Sequence, residues 1–283
     1  MSDTFPVLVS TQWLADALQS SDIKILDASM HLPNAGRDAR AEFEAGHIPG
    51  AQFLDLASFT DKTCDVPAAL PNKAQVEARL AELGATGNEI VLYDDSAVKT
   101  SARAWFALKA HGVENVAILD GGMAKWRAEG RGVEEGEASS LTAGHDAGEA
   151  PSRVRYKADM LANIESKSEQ VVDARSADRV FGHGIDPVHG GQNGRIPGSF
   201  NVPFNTLFKA DGTFKSPHDL RTIFEEAGVD PSRPITTTCG SGVTASVLLF
   251  ALELIGKTDT ALYDGSWSEW SADPATPKAA GPQ

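Results

Sequence analysis

The chain repeats itself, and that limits its possible folds more than any other feature. "FALKAHGVENVAILDGGMAKW" at 106–126 returns as "FALELIGKTDTALYDGSWSEW" at 250–270, both ends displaced by 144 residues. Earlier pairs follow the same order: "KILDAS" (24–29) with "QVVDARS" (170–176), and "GHIPGAQFLD" (46–55) with "GRIPGSFNVP" (194–203). One supersecondary plan written twice predicts two homologous domains rather than one large one, and 283 residues leave each an ordinary size. The expected boundaries are 1–132 and 155–283. A linker is expected at 133–154, on the Gly-, Ala-, Ser- and Glu-rich composition of 131–153, which lacks periodicity. The tail from 272 onward is expected to fray.

Each half alternates short apolar runs with amphipathic segments. "IKILDA", "EIVLYDD" and "VAILD" in the first half, and "QVVDA", "PITTT" and "TALYDG" in the second, read as buried strands. "QVEARLAELG", "SARAWFALKAHG" and "VTASVLLFALEL" read as helices. The pattern predicts an α/β class: two small open parallel sheets, each flanked by helices.

Composition excludes several functions. The net charge of −14 disfavours a broad nucleic-acid or anionic-membrane surface, and no apolar run is long enough to span a bilayer. The start, "MSDTFPVLVSTQWLADAL", lacks a basic segment followed by an apolar core, so a cytoplasmic location is expected. Cys64 and Cys239 are too few for a disulfide framework or a zinc cluster. His183 and His189, in a glycine-rich loop without other ligands, read as polar loop residues. No metal and no cofactor are expected.

Cys239 stands in "TTTCGSGVTAS" (236–246), between a β-branched strand and an apolar helix. In an open parallel sheet, ligands bind beyond the carboxyl ends of the strands, in loops that lead into helices. Glycines there let backbone approach the sulfur, and unpaired amides of the loop and first helical turn favour a thiolate over a thiol. Cys239 is therefore the expected nucleophile. Gly240, Gly242, Val243 and Thr244 supply the surrounding amides, and the Thr244 hydroxyl is within reach of the same cradle. Cys64, in "TDKTCDVPAAL", has no such setting. With the 144-residue offset, the first-half partner of Cys239 is Asp95, which has no thiol to act as nucleophile, so one active site per chain is expected.

The tandem halves, "HIPGA", "RIPGS", "CGSGVTAS" and "YDGSWSEW" resemble the two-domain rhodanese superfamily over nearly the whole chain. The uncharged six-residue loop is most similar to that of 3-mercaptopyruvate sulfurtransferases. The resemblance implies a catalytically silent first domain, a catalytic second domain and a cysteine that cycles through a persulfide. It implies a small-molecule sulfur donor and a thiol, cyanide or protein acceptor such as thioredoxin. Arg179 matches the family's carboxylate-binding arginine; Arg175, nearer the strand, reads as structural. Ser241 matches a loop serine that either assists proton transfer or closes the loop on backbone amides. Thiosulfate-using relatives place basic side chains after the cysteine, where this chain has Gly240 and Ser241.

The chain also departs from the family. The second substrate-binding arginine of a Glu-Pro-Arg sequence falls at Val188 or His189, and Arg195 replaces a histidine. Ala57 and Ala68 stand where some relatives carry an acid and a histidine, so no serine–histidine–aspartate relay is expected. The alternatives are a thiosulfate sulfurtransferase and a non-enzymatic sulfane-sulfur carrier. Phosphatase chemistry is disfavoured, because Ala245 rather than an arginine follows "GVT".

Overall fold

In the computed structural model, residues 5–20, 22–66, 68–137, 153–182, 184–188 and 191–281 are described. Contacts divide the chain into two compact units. The first comprises Met1–Asp61, Leu70–Pro151 and Phe208–Phe214; the second comprises Lys62–Ala69, Ser152–Leu207 and Lys215–Gln283. A division at one point of the sequence would miss the two short segments that each unit draws from the other half of the chain.

The first unit contains strands β1 (Leu8–Val9), β2 (Ile23–Asp27), β3 (Gln52–Phe53), β4 (Glu89–Tyr93) and β5 (Val116–Leu119). Its helices are α1 (Thr11–Ala17), α2 (Ala39–Ala45), α3 (Lys73–Glu82), α4 (Ser101–Ala110) and α5 (Gly122–Ala128). The second contains β6 (Val154–Arg155), β7 (Gln170–Asp173), β8 (Phe200–Asn201), β9 (Ile235–Thr238) and β10 (Thr260–Tyr263). Its helices are α6 (Lys157–Ser166), α7 (Ala177–Phe181), α8 (Pro217–Glu226), α9 (Val243–Leu254) and α10 (Ser266–Ala272). The sheet orders are β1-β5-β4-β2-β3 and β6-β10-β9-β7-β8, every pairing parallel. This is the α/β class that the apolar runs predicted, and all six of those runs form the central strands.

The central strands are buried on both faces, which explains their continuous apolar sequence. The edge strands β1, β3, β6 and β8 have two residues each and escape a periodicity search, since two residues carry no period. Helix α9 is apolar almost all round because it lies inside the second unit, with Ala245 through Leu252 buried. Starts of other helices are set locally. Asn72 and Gln75 form a reciprocal capping box on α3, and Ser216 caps α8 ahead of Pro217. Trp267 and Trp270 of α10 pack with Met160, Val171, Ile196 and Tyr263 in the second core.

Two sequence expectations need correction. The tail does not fray up to Gly281. Arg195 and Ala279 exchange backbone hydrogen bonds of 2.8 and 3.0 Å, and the Trp270 indole donates to the Pro277 carbonyl at 2.8 Å. The Arg195 guanidinium also bonds the Gly281 carbonyl and lies over Phe181. Nor is the start of the expected linker slack. Glu134 pairs with His47 across an antiparallel bridge, and its carboxylate takes the Gly50 N–H at 2.9 Å. Polar, glycine-rich composition hid both segments because their contacts are made by backbone. The rest of the expected linker, 138–152, lies outside the described residues. Among the described residues no helix is long and apolar enough to cross a membrane.

Candidate active site

In the second sheet, β7 leads through α7 to β8 on one side, while β9 on its other side leads through α9 to β10. The connections depart in opposite directions between β7 and β9, so a crevice opens at the carboxyl ends of these two strands. Cys239 follows β9 directly, and Arg179 lies in the short helix after β7. The strand ends are joined by the Ala174 N–H, which donates to the Thr238 carbonyl at 2.9 Å. The fold thus brings the expected nucleophile and the expected donor-binding arginine to neighbouring strand ends.

Cys239 is buried, with 2% of its surface exposed, and its thiol is free. The chain then turns through Gly240 and Ser241 to Gly242, whose left-handed φ of 82° opens α9. A side chain at that φ is strained, which is why glycine stands there. Gly242 offers no side-chain cap, so no hydroxyl or carboxylate of its own engages the first-turn amides of α9. Gly240, Gly242 and Val243 are buried, while Ser241 and Thr244 are partly exposed at the mouth of the crevice.

The turn that opens α10 holds the cysteine loop from the other side. The Trp267 N–H donates to the Cys239 carbonyl at 2.9 Å, and the Ser268 N–H and hydroxyl donate to the Gly240 carbonyl at 2.9 and 2.6 Å. Ser266 accepts the Cys239 N–H on its hydroxyl oxygen at 3.3 Å. Sequence reasoning treated this turn only as part of a family signature. Comparing the repeats would have exposed Ser266, which stands where the first half has Gly122.

Arg179 is held by Asp186. Its Nε and Nη2 donate to Asp186 Oδ2 at 2.9 and 2.7 Å, and that carboxylate is fully buried. Arg175 completes the cluster as a buried structural group. It forks onto Asp173 with its shortest contact at 2.7 Å, bonds the Gly194 carbonyl at 2.7 Å, and lies 4.7 Å over the Trp267 ring. Its Nη1 is 3.6 Å from Asp186 Oδ2. Two guanidinium groups therefore face two carboxylates, and the cluster is neutral overall. Arg179 keeps 15% of its side chain exposed, with Nε and Nη2 both engaged by Asp186.

Val188, in the neighbourhood of the family's second arginine, is 38% exposed and has its N–H on Asp186 Oδ1. His183 and His189 lie outside the described residues. Among the described residues, no group of three or more His, Cys, Asp or Glu side chains is arranged to hold a metal ion.

The first unit's equivalent edge corrects one assignment. Strand register pairs Asp27 with Tyr93 in the first sheet and Asp173 with Thr238 in the second, which makes Asp94 the counterpart of Cys239. The backbone agrees, since Met123 donates to Asp94 where Trp267 donates to Cys239. The 144-residue offset had pointed to Asp95. It holds from β5 onward but is one residue short at β4, where Tyr93 matches Thr238, because the two strand-to-helix loops differ in length. The Asp94 carboxylate accepts the N–H groups of Ser96 and Ser101, each at 2.9 Å, so amides at this loop and helix start hold an anion. Asp95 instead sits between Arg37 and Arg127, at 2.9 and 3.3 Å. The crevice there is bridged by Ser96 to the Met30 carbonyl and Thr100 to the Ala28 carbonyl, both at 2.7 Å.

Comparison with known proteins agrees with this geometry. The family model for the Rhodanese-like domain matches residues 10–129 and again 157–273. The chain is 41% identical over 273 residues to the 3-mercaptopyruvate sulfurtransferase of Mus musculus, covering 94% of this chain and 92% of that protein. It is 37% identical to the thiosulfate sulfurtransferase of Gallus gallus, covering 93% and 92%. Among solved structures it is similar to SseA from Escherichia coli, described with the rhodanese fold and mechanism of 3-mercaptopyruvate sulfotransferases. There the TM-score is 0.83 at 36% identity, over 93% of this chain and 99% of the other. With two matched copies spanning most of its length, the chain belongs to the rhodanese family.

Proposed function

We propose that this protein is a sulfurtransferase that moves sulfane sulfur from 3-mercaptopyruvate to a thiol, cyanide or protein acceptor through a persulfide on Cys239. The observation that carries the reading is the buried Cys239 at the end of β9, followed by the uncharged run Gly240–Thr244, with Arg179 at the neighbouring strand end. The names of the mammalian and bacterial relatives support the same donor.

Arg179 takes the donor carboxylate, and the amides of Gly240, Gly242, Val243 and Thr244 receive negative charge at sulfur. The Cys239 thiolate attacks the donor's sulfur. The donor C–S bond breaks, its electron pair passes to carbon as the pyruvate enolate, and the enolate takes a proton to leave as pyruvate. Ser241, partly exposed beside the cysteine, is our candidate for passing that proton. An acceptor thiolate then attacks the outer sulfur and Cys239 departs as thiolate, completing two covalent half-reactions. The second domain is the catalytic one and the first, with Asp94 in place of the cysteine, is silent. A thioredoxin-like protein acceptor and a cytoplasmic site, where free thiols persist, complete the reading.

The test is mass spectrometry after incubation with mercaptopyruvate. One sulfur atom is expected on Cys239, with pyruvate released in equal amount and over many turnovers once a thiol is supplied. Sulfur transfer by Cys239→Ser at the wild-type rate would sink the reading. One observation favours a second reading as a thiosulfate enzyme: Val188 leaves Arg179 without a second arginine for a carboxylate. A larger kcat/KM for thiosulfate, measured side by side, would select it.

A further inference from the structure

Ser266 is fully buried and has a φ of +50°, a left-handed conformation that L side chains rarely adopt. For a residue with a Cβ this costs about 1–2 kcal/mol relative to glycine. Such strain persists where the surroundings over-determine it, and it clusters at functional sites. In the first unit the counterpart is Gly122, with φ +58° and no hydroxyl. The strained residue therefore carries a hydroxyl only in the half whose strand-to-helix loop carries the thiol of Cys239.

The hydroxyl is committed in both directions. It donates to the Tyr263 carbonyl at 2.9 Å, which turns a lone pair toward the Cys239 N–H at 3.3 Å. The next residue, Trp267, donates its N–H to the Cys239 carbonyl at 2.9 Å. Two consecutive residues of one turn thus grip both backbone polar groups of the nucleophile. The first unit keeps the carbonyl grip through Met123 and Asp94, but glycine has no oxygen to offer the amide. The hydrogen bond that the serine side chain adds falls on the residue that forms the covalent bond in the proposed reaction.

We infer that Ser266 is a positioning residue for the sulfurtransferase reaction, fixing the peptide plane ahead of Cys239 and through it the direction of the Cα–Cβ bond that carries the sulfur. Attack on a donor sulfur needs a near-attack geometry, and a displacement of about 1 Å at a reacting atom can cost on the order of a hundredfold in rate. Loss of one of several constraints should cost less. The inference rests on Cys239 as the nucleophile; it does not rest on which donor loads it.

The experiment uses the full-length protein with Ser266→Gly, which removes the hydroxyl and relieves the φ strain, and Ser266→Ala, which removes the hydroxyl and keeps the strain. Persulfide formation is measured at saturating mercaptopyruvate and, separately, at saturating thiosulfate. For both variants the rate at saturation should fall roughly tenfold with either donor that the wild type uses, while donor KM stays within about twofold. The thermal midpoint of Ser266→Gly should match or exceed that of the wild type. A purely structural serine would lower the midpoint and leave the rate of folded protein unchanged. Wild-type rates at saturation in either variant overturn the inference, as does a loss expressed only in KM. If the wild type accepts sulfur from thiosulfate alone, the proposed donor fails, and the two variants still decide the role of Ser266.

Discussion

Replacement of Arg175 by methionine should separate a structural arginine from a substrate-binding one. The Arg175 side chain is 1% exposed, as is that of its partner Asp173, and the guanidinium also bonds the Gly194 carbonyl and covers the Trp267 face. Methionine supplies apolar bulk but no donor, leaving a buried carboxylate without its cation and a carbonyl without its N–H. Removal of one partner of such a pair costs about 3–5 kcal/mol, and loss of the cation over indole is a smaller effect, about 2 kcal/mol when desolvated. With a urea m value of about 2 kcal/mol per molar, the transition of the second unit should move down by roughly 2 M. The assay is urea denaturation followed by tryptophan fluorescence, with Arg175→Met/Asp173→Asn as the control. Removing both charges should recover part of the loss, because Asp173 is then no longer a buried charge without its cation, while Asp186 keeps Arg179. Protein that remains folded should keep its donor KM. A shift of less than about 0.5 M, or a double variant no more stable than the single, would refute the account of Arg175 as a buried structural cation.

Two further outcomes follow from other parts of the molecule. Val188→Arg returns a guanidinium to the exposed loop beside the Arg179–Asp186 pair, where one charge-assisted hydrogen bond to a carboxylate is worth about 1.5–3 kcal/mol. The KM for mercaptopyruvate should fall by roughly tenfold or more with little change in kcat; an unchanged KM would show that the donor carboxylate does not approach this loop. In the first unit, burial pushes the Asp27 carboxyl up to about 6, so the folded state holds its proton more tightly than the unfolded chain. Its contribution favours folding at acid pH and is lost as pH rises from about 4 through 6, a change on the order of 3 kcal/mol. Asp27→Asn should therefore raise the urea midpoint at pH 7 and leave it nearly unchanged at pH 4, and equal effects at both pH values would count against this reading.

Much of the site was legible because its chemistry is local. Strand, cysteine, glycines and apolar helix lie within twenty residues, so "PITTTCGSGVTASVLLFALEL" already declares a nucleophile at a strand-to-helix junction. Arg179 was legible by its distance from the end of "QVVD". Asp186 was not, since its pairing with Arg179 closes across a loop with no periodicity. Ser266 was also missed, because it acts through one hydrogen bond to a residue 27 positions earlier. The counterpart of Cys239 went astray by one residue because a fixed offset cannot register a difference in loop length, whereas hydrogen-bonded strands do so residue by residue.

By itself the sequence determined the duplicated α/β plan, the central strands and the main helices, and it singled out Cys239 as the candidate nucleophile. These follow from burial patterns and residue chemistry that act within a few residues of chain. Only the tertiary structure decided which residues correspond and which meet: Asp94 rather than Asp95 as the first-unit counterpart of Cys239, Asp186 against Arg179, Ser266 on the Cys239 amide, and a tail tied to Arg195. These depend on hydrogen bonds that close across irregular loops or between segments far apart in sequence, whose partners are chosen by the packing of the chain and not by the spacing of residues along it.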